Sequence, residues 1–146
     1  MNNIDMAIEF FKTGHNCSQS IFCAYSSLFG LDYRPAFKIA SAFGGGMGRV
    51  GNTCGAVTGA LMTIGLFSRN TNPEDKENKE KTYELARLFI NRFKELNGTV
   101  FCRELIGCDI STPEGLEEAS KKNVIENVCF NLVKSSALIL NDILNE

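Results

Sequence analysis

Hydrophobic residues recur at helical spacing along nearly the whole chain, and almost nowhere do they alternate with polar residues as in a strand. Residues 4–12 carry an apolar stripe, and Asn16 is suited to cap a second helix over residues 17–29. A third helix, over residues 35–43, would have Pro35 in its first turn and would end at the glycines that follow. The pattern of this first part of the chain therefore predicts an all-α fold.

The fourth predicted helix, residues 54–68, is apolar on nearly every side. A helix that is hydrophobic all round is typical of a buried position, so we expect it at the centre of the fold. Gly55 and Gly59 lie about one turn apart on this helix, and glycine inside a helix costs about 1 kcal/mol relative to alanine. We expect close packing or a bound ligand to offset that cost.

The second half of the chain continues the helical pattern. Residues 74–96 form a long amphipathic helix with a charged start, residues 102–106 a short turn, and residues 123–144 a last helix that is expected to bury Ile125. No repeat or domain-scale linker interrupts the sequence. We therefore predict one all-α domain over residues 1–146, a compact bundle of about six helices around the glycine-rich central helix.

Composition excludes several classes of protein. At 146 residues and 44% hydrophobic, the chain can bury a core without disulfide bonds. A net charge of −2 lacks the excess of positive charge that is typical of proteins that bind nucleic acid. The first residues lack the basic start of a signal peptide, and the weakly polar run of residues 54–67 is too short to span a bilayer. We expect a cytoplasmic protein that neither binds nucleic acid nor inserts into membranes.

Six cysteines are the main candidates for chemistry. In a reducing cytosol this number favours metal or redox chemistry over structural disulfides, although any single cysteine can simply be a small core residue. There is no Cys-x-x-Cys pair, so a site must be assembled from separate helices. The six are Cys17, Cys23, Cys54, Cys102, Cys108 and Cys129.

Cys54 lies in the most informative stretch, FGGGMGRVGNTCGAVTGAL, residues 43–61. It falls at the predicted start of the central helix, where unpaired N–H groups and the helix dipole stabilise a thiolate, and Arg49 would add positive charge. A buried, inert thiol is the alternative. A phosphate-binding loop is a further alternative, but it needs a preceding strand and a lysine followed by serine or threonine, and neither is evident.

His15, the only histidine, lies two residues before Cys17. It could act as a base for that thiol or as a metal ligand. A solvated loop position is the simpler interpretation, because cysteine–histidine pairs are read only loosely from sequence.

Four segments together carry a family resemblance. In the order GHNCSQS, FGGGMGRVGNTCGAVTGALMTIGL, VFCRELIGCDI and VIENVCFNLV, the chain resembles the redox-active C_GCAxxG_C_C family, whose pattern is C, then GCAxxG or CGAxxG, then C and C. The resemblance covers nearly the whole chain. It leaves Cys23, Cys108 and His15 outside the pattern, and it implies one centre made of Cys17, Cys54, Cys102 and Cys129.

The same resemblance suggests a cofactor. A similar domain occurs in split-Soret cytochromes, where the cysteines are linked with an iron–sulfur cluster. This chain has no Cys-x-x-Cys-His haem site, so only the cluster is expected to carry over. We expect Cys17, Cys54, Cys102 and Cys129 to ligate a metal centre, most simply a [2Fe–2S] cluster that passes electrons to an unidentified redox partner protein.

Two alternatives remain open from the sequence. The first is a metal-free thiol–disulfide oxidoreductase with Cys54 as nucleophile and Cys17 or Cys102 as resolving thiol. The second is a structural Cys₄ zinc site without a redox role. The sequence leaves open whether the chain is an enzyme and whether it forms a homo-oligomer.

Overall fold

The computed structural model describes residues 1–145 and is all-α, as predicted. Within these residues there are eight α-helices of regular geometry rather than about six, because the segment between the long helices folds as two separate short ones. The helices are α1 (Asn3–Lys12), α2 (Cys17–Ser26), α3 (Tyr33–Ala40), α4 (Gly55–Ser68), α5 (Lys76–Asn97), α6 (Cys102–Ile106), α7 (Pro113–Lys121) and α8 (Phe130–Leu144).

Shorter elements connect the helices at three places. The 3₁₀ turns Ser27–Phe29 and Ser41–Phe43 extend α2 and α3, as the sequence predicted for the ends of those helices. A short turn at Gly44–Met47, left-handed from Gly45 onward, follows the second of these. The π-helix Ile125–Cys129 runs directly into α8.

The glycine-rich helix α4 lies at the centre of the fold, as predicted. It packs against α2, α5 and α8. Half of its residues are buried, among them Val57, Ala60 and Ile64. The main core forms where these side chains meet aromatic and aliphatic residues of the surrounding helices, including Phe89 and Leu140.

The start of α2 is fixed by a reciprocal cap. The Asn16 side chain accepts a hydrogen bond from the Gln19 backbone N–H at 2.8 Å. In return the Gln19 side chain accepts from the Asn16 N–H at 3.1 Å. This capping box satisfies two N–H groups that the first turn leaves free, so the helix begins at Cys17 as the sequence predicted.

The expectation that Ile125 is buried is wrong, because its side chain is 62% exposed. The cause is the π-helix, which the sequence pattern did not predict. A π turn holds more residues than an α turn, so it rotates the residues at its start away from the apolar stripe of α8.

None of the helices in the described part of the chain combines the length and the apolar character needed to cross a bilayer.

Candidate functional site

Four of the six cysteines line one cavity of about 600 Å³ at the start of α4. Cys17 is the first residue of α2 and Cys54 immediately precedes α4. Cys102 is the first residue of α6, and Cys129 is the last residue of the π-helix. The structure therefore brings to one place the four cysteines that the sequence pattern singled out, each from a different element.

Glycines in α4 let α2 approach closely enough to bring Cys17 to Cys54. A Cβ atom added at Gly55 would lie 2.8 Å from the backbone nitrogen of Ser18 and 3.1 Å from the Cβ of Cys17. At Gly59 an added Cβ would lie 2.7 Å from the carbonyl oxygen of Ser18. These separations are shorter than ordinary van der Waals contact. The CGAxxG spacing is thus explained by close helix packing, one of the two causes that the sequence predicted.

Cys102 is placed by backbone pairing between two loops. Thr53 and Phe101 form an isolated antiparallel bridge. On either side of it, the Cys54 N–H donates to the Val100 carbonyl at 2.7 Å and the Cys102 N–H donates to the Asn52 carbonyl at 2.6 Å. Because both cysteines sit next to the bridge, the pairing holds α6 against the start of α4.

Gly46 makes room for Cys102 at the cavity. Its φ of 66° lies in the left-handed region, and an added Cβ would be 2.7 Å from the Cβ of Cys102. Both observations require glycine at this position.

Residues 45–49 form a left-handed turn in the cavity wall. All five have φ between 61° and 68°. Met47 and Arg49 adopt this conformation without being glycine, which costs about 1–2 kcal/mol per residue. A 3₁₀ turn, not a strand, precedes the loop, so the context that a phosphate-binding loop needs is missing from this part of the structure.

Cys54 is the cap residue of α4 rather than a first-turn residue, and its pKa is lowered. The largest cause is a hydrogen bond from the Cys17 thiol, and the backbone N–H groups of Ala56 and Val57 add to it, against the opposing effect of burial. Helix-start N–H groups thus stabilise the thiolate as expected. Arg49, which was expected to add positive charge, is not among the causes of this shift.

The Cys17 thiol lies between two sulfurs. Its pKa is raised well above the usual value, first because it hydrogen-bonds to Cys129 and Cys54, and further because it is buried next to their charges. The pKa of Cys129 is lowered in turn, chiefly by the same Cys17 hydrogen bond. Of these three thiols, Cys17 therefore holds its proton most strongly, and its hydrogen bonds stabilise negative charge on Cys54 and Cys129.

Cys102 lines the same cavity without joining this hydrogen-bonded set. Burial raises its pKa to about 12, and the nearby charges of Cys54 and Cys129 act in the same direction. Cys102 is therefore a fourth sulfur within the field of the other thiols and stays protonated in the metal-free protein.

The π-helix sets the position of Cys129, and the sequence analysis missed this element. Asn123, two residues before the π-helix, has a φ of 52°, a left-handed conformation that asparagine tolerates better than most residues. An asparagine ahead of an apolar stripe is a weak signal, and it did not distinguish a π-helix from a regular one. π-helical turns are frequent at functional sites, and this one ends on a site cysteine.

The two cysteines outside the family pattern are also outside the cavity lining. Cys23 is 0% exposed and packs with Phe22, Ala36 and Ala40 in a separate apolar cluster, and burial raises its pKa to about 12. Cys108 is buried in the small cluster that also contains Cys102. Both fit the interpretation of cysteine as a small core residue.

His15 also lines the cavity, which its interpretation as a solvated loop residue did not predict. Its ring stacks on Phe37, with centroids 4.1 Å apart, and meets the Phe10 ring edge-on. The ring is thus held within an aromatic group at the cavity wall.

The cavity offers the ligands of a two-iron cluster. Four cysteine thiolates are the usual ligands of [2Fe–2S], two for each iron. Among residues 1–145, no three His, Cys, Asp or Glu side chains are arranged to hold a single metal ion. In type and number the four cysteines fit the cluster and equally fit a Cys₄ zinc site, while the sulfurs as they stand hydrogen-bond to one another.

Comparison with known proteins points to one family. No curated protein and no solved structure matches the chain. The family model described as "Putative redox-active protein (C_GCAxxG_C_C)" matches residues 15–143, which include all four cavity cysteines. The chain therefore belongs to the C_GCAxxG_C_C family of redox-active proteins.

Proposed function

We propose that Cys17, Cys54, Cys102 and Cys129 form one redox centre that holds a [2Fe–2S] cluster and passes electrons to a partner protein. The observation that carries this proposal is that four of the six cysteines, from four different elements, line one cavity. Dithiol exchange needs two cysteines, whereas a [2Fe–2S] cluster needs four. The number of thiols at the cavity therefore favours the cluster.

The chain's own residues would give the cluster a defined environment. When bound, a [2Fe–2S] cluster supplies one-electron transfer at a potential set by charge, hydrogen bonds to sulfur and exposure. The N–H groups of Ala56 and Val57 stabilise negative charge on Cys54. Cys54 and Cys102 are 2% and 7% exposed, which keeps water from two of the four sulfurs. Cys17 and Cys129 are both partly exposed, so we place electron exchange with the partner on their side of the cavity.

Anaerobic purification followed by a visible spectrum and by iron and acid-labile sulfide analysis tests the proposal. We expect a coloured protein with about two irons and two sulfides per chain. A colourless protein that also fails to take up iron and sulfide in reconstitution would reject the cluster.

Thiol–disulfide exchange is the second candidate, and a different observation favours it. The Cys17 thiol hydrogen-bonds to Cys54, whose pKa is lowered, as in a nucleophile next to its resolving thiol. The Cys54 thiolate would attack a substrate disulfide, form a mixed disulfide and release one substrate thiolate. Cys17 would pass its proton to that thiolate and attack the Cys54 sulfur. The products are a Cys17–Cys54 disulfide and a substrate reduced to one thiol and one thiolate, which takes its proton from solvent.

The same purification separates the candidates. A metal-free protein that reversibly forms one internal disulfide with oxidised glutathione would support thiol exchange. One zinc ion per chain would instead support the structural Cys₄ alternative.

A further inference from the structure

Buried and half-buried hydroxyl groups link the three helices on which the hydrogen-bonded thiols depend. Cys17 begins α2, Cys54 caps α4, and Cys129 leads into α8. Each pair of these helices is joined by one side-chain hydrogen bond away from the thiols. The bonds run from Tyr25 to the Ala137 carbonyl at 3.0 Å, from Ser136 to the Ala56 carbonyl at 2.7 Å, and between Thr58 and the Ser18 hydroxyl at 3.3 Å.

Together the three bonds join each of the three helices to the other two, α2 with α8, α8 with α4, and α4 with α2. We call this set of bonds the triangle. Tyr25 is 1% exposed, and Ser136 and Ser18 are fully buried. Thr58 is half-buried, and its hydroxyl also hydrogen-bonds to the Gly55 carbonyl of its own helix at 3.2 Å. A hydrogen bond in such an interior is directional and costly to leave unmade, so it specifies one relative placement of two helices where apolar contacts tolerate several.

The triangle begins close to the thiols. Ser18 follows Cys17 directly, and Ala56 contributes an N–H to Cys54 while its carbonyl accepts the Ser136 bond. Any change in the placement of one helix therefore reaches the sulfur at its end. Phenylalanine, valine or alanine would fill the same space at Tyr25, Thr58 or Ser136 without making the bond, so packing alone does not require a hydroxyl there.

We propose that Tyr25, Thr58 and Ser136 are positioning residues that set the spacing of Cys17, Cys54 and Cys129, one residue for each pair of helices. This inference rests on the proposed function only in treating these thiols as parts of one centre. It holds for cluster ligation and for thiol exchange alike, because both depend on distances between the same sulfurs.

The three residues make pair-specific predictions. Thr58→Val removes the link between α2 and α4, so it should weaken the pairing of Cys17 with Cys54. Tyr25→Phe removes the link between α2 and α8, so it should weaken the pairing of Cys17 with Cys129. Ser136→Ala acts on α4 and α8 and should leave both Cys17 pairs within about twofold of wild type.

The experiment measures how readily each pair forms a disulfide in the metal-free, full-length protein. In glutathione buffers, two protein thiols and one oxidised glutathione give one protein disulfide and two reduced glutathiones. Alkylation of the remaining thiols and peptide mapping report the Cys17–Cys54 and Cys17–Cys129 disulfides separately. We expect Thr58→Val to lower the equilibrium constant of the first about three- to tenfold, and Tyr25→Phe that of the second by a similar factor.

Thr63→Val and Ser20→Ala are the matched controls. Both hydroxyls are fully buried, but Thr63 bonds to Gly59 within α4, and Ser20 bonds to Asn16, the cap residue of its own helix. Neither control should shift either disulfide by more than about twofold. Equal loss of both disulfides in every variant, or losses as large in the controls, would overturn the proposal, since general loosening of the fold would explain either result. Unchanged equilibria in folded Thr58→Val and Tyr25→Phe would overturn it as well.

The result is independent of the cofactor. Glutathione acts on any two thiols that the fold holds together, so a protein that binds no iron still reports the spacing. Failure of the cluster proposal would appear only in the iron and sulfide analysis.

Discussion

At the residue scale, the six cysteines differ in the pKa of their thiols because their surroundings differ. Cys54 caps a helix and receives a hydrogen bond from Cys17, so its thiolate is stabilised. Cys23 is surrounded by apolar side chains, and burial alone raises its pKa. The same thiol group therefore ionises more readily at Cys54 than at Cys23.

Alkylation across pH should separate these two thiols in the metal-free protein. The rate at Cys54 should level off at a pH below that of an ordinary thiol, about 8.5, because its pKa is lowered. The rate at Cys23 should still be rising at about pH 10, because its pKa is raised to about 12. Peptide mass mapping after timed labelling measures both. The pH of levelling does not depend on how fast reagent reaches each site, so coincident profiles would contradict the proposed environment.

Backbone strain in the cavity wall gives a second test at this scale. Arg49 is exposed and has a φ of 66°, so Arg49→Gly should relieve about 1–2 kcal/mol of backbone strain in the folded state. Glycine also raises the conformational entropy of the unfolded chain, which offsets part of this gain in stability. We expect the free energy of unfolding to be unchanged or to rise by up to about 1 kcal/mol.

The neighbouring Val50→Gly is the control, because Val50 is exposed and has no left-handed φ to relieve. It should lower the free energy of unfolding by about 0.5–1 kcal/mol in denaturant titrations. Equal losses from both substitutions would show that Arg49 is not strained.

At the element scale, the central helix is shaped by what packs against it. Gly59 faces the Ser18 carbonyl of α2, whereas Gly65, on the same helix, has nothing within 4 Å of an added Cβ. Glycine is required at the first position and only tolerated at the second. The close packing of α2 on α4, on which the pairing of Cys17 and Cys54 depends, therefore rests on the first.

Substituting alanine at these two glycines should have opposite effects on stability. Gly59→Ala places a Cβ 2.7 Å from backbone, so we expect the free energy of unfolding to fall by about 1–3 kcal/mol. Gly65→Ala should raise it by up to about 1 kcal/mol, since alanine favours the helix and meets no neighbour. Denaturant titrations measure both. A stabilised Gly59→Ala variant would contradict the close approach of α2.

Sequence periodicity predicted the elements well where capping and burial agree. The cap residue Asn16 predicted the start of α2, and the apolar run of residues 54–68 predicted the central helix. The Gly55–Gly59 pair predicted close packing against that helix. Periodicity could not predict the π-helix. One extra residue in a turn moves Ile125 to a different face of the helix, but it does not change the number of apolar residues in the segment.

The candidate site was predictable in part. The family pattern gave the four cysteines, but nothing local could place Cys17 between Cys54 and Cys129. That arrangement depends on residues far apart in the chain, brought together by α2, α4 and α8. For the same reason the sequence assigned Arg49 an effect on Cys54 that belongs to Cys17 and to backbone N–H groups.

At the scale of the whole molecule, the cavity gathers segments from both halves of the chain. Cys17 and Cys129 are separated by most of the sequence, yet they share a hydrogen bond. A cluster bound by these cysteines would act as a cross-link between the first helices and the last, and its binding free energy would add to that of folding.

Cluster loading should therefore stabilise the whole fold. We expect the loaded protein to melt at a higher temperature than the same protein after anaerobic chelation of iron, with the difference lost in Cys129→Ser. Differential scanning calorimetry under nitrogen measures this. Cys23→Ser, which leaves the cavity intact, should keep the difference. Identical melting with and without iron would contradict a cross-linking cluster.

The central claim is that four cysteines work as one centre and the other two do not, and six single Cys→Ser variants test it most directly. Each is purified without oxygen and assayed for iron and sulfide or, if the wild type binds no iron, for retention of its reversible disulfide and for the rate of thiol–disulfide exchange with glutathione. We predict that serine at Cys17, Cys54, Cys102 or Cys129 removes most of the iron, or changes the disulfide or its exchange rate, whereas serine at Cys23 or Cys108 preserves the wild-type result. Loss at Cys23 equal to loss at Cys54, or full retention in any of the four cavity variants, would contradict the claim.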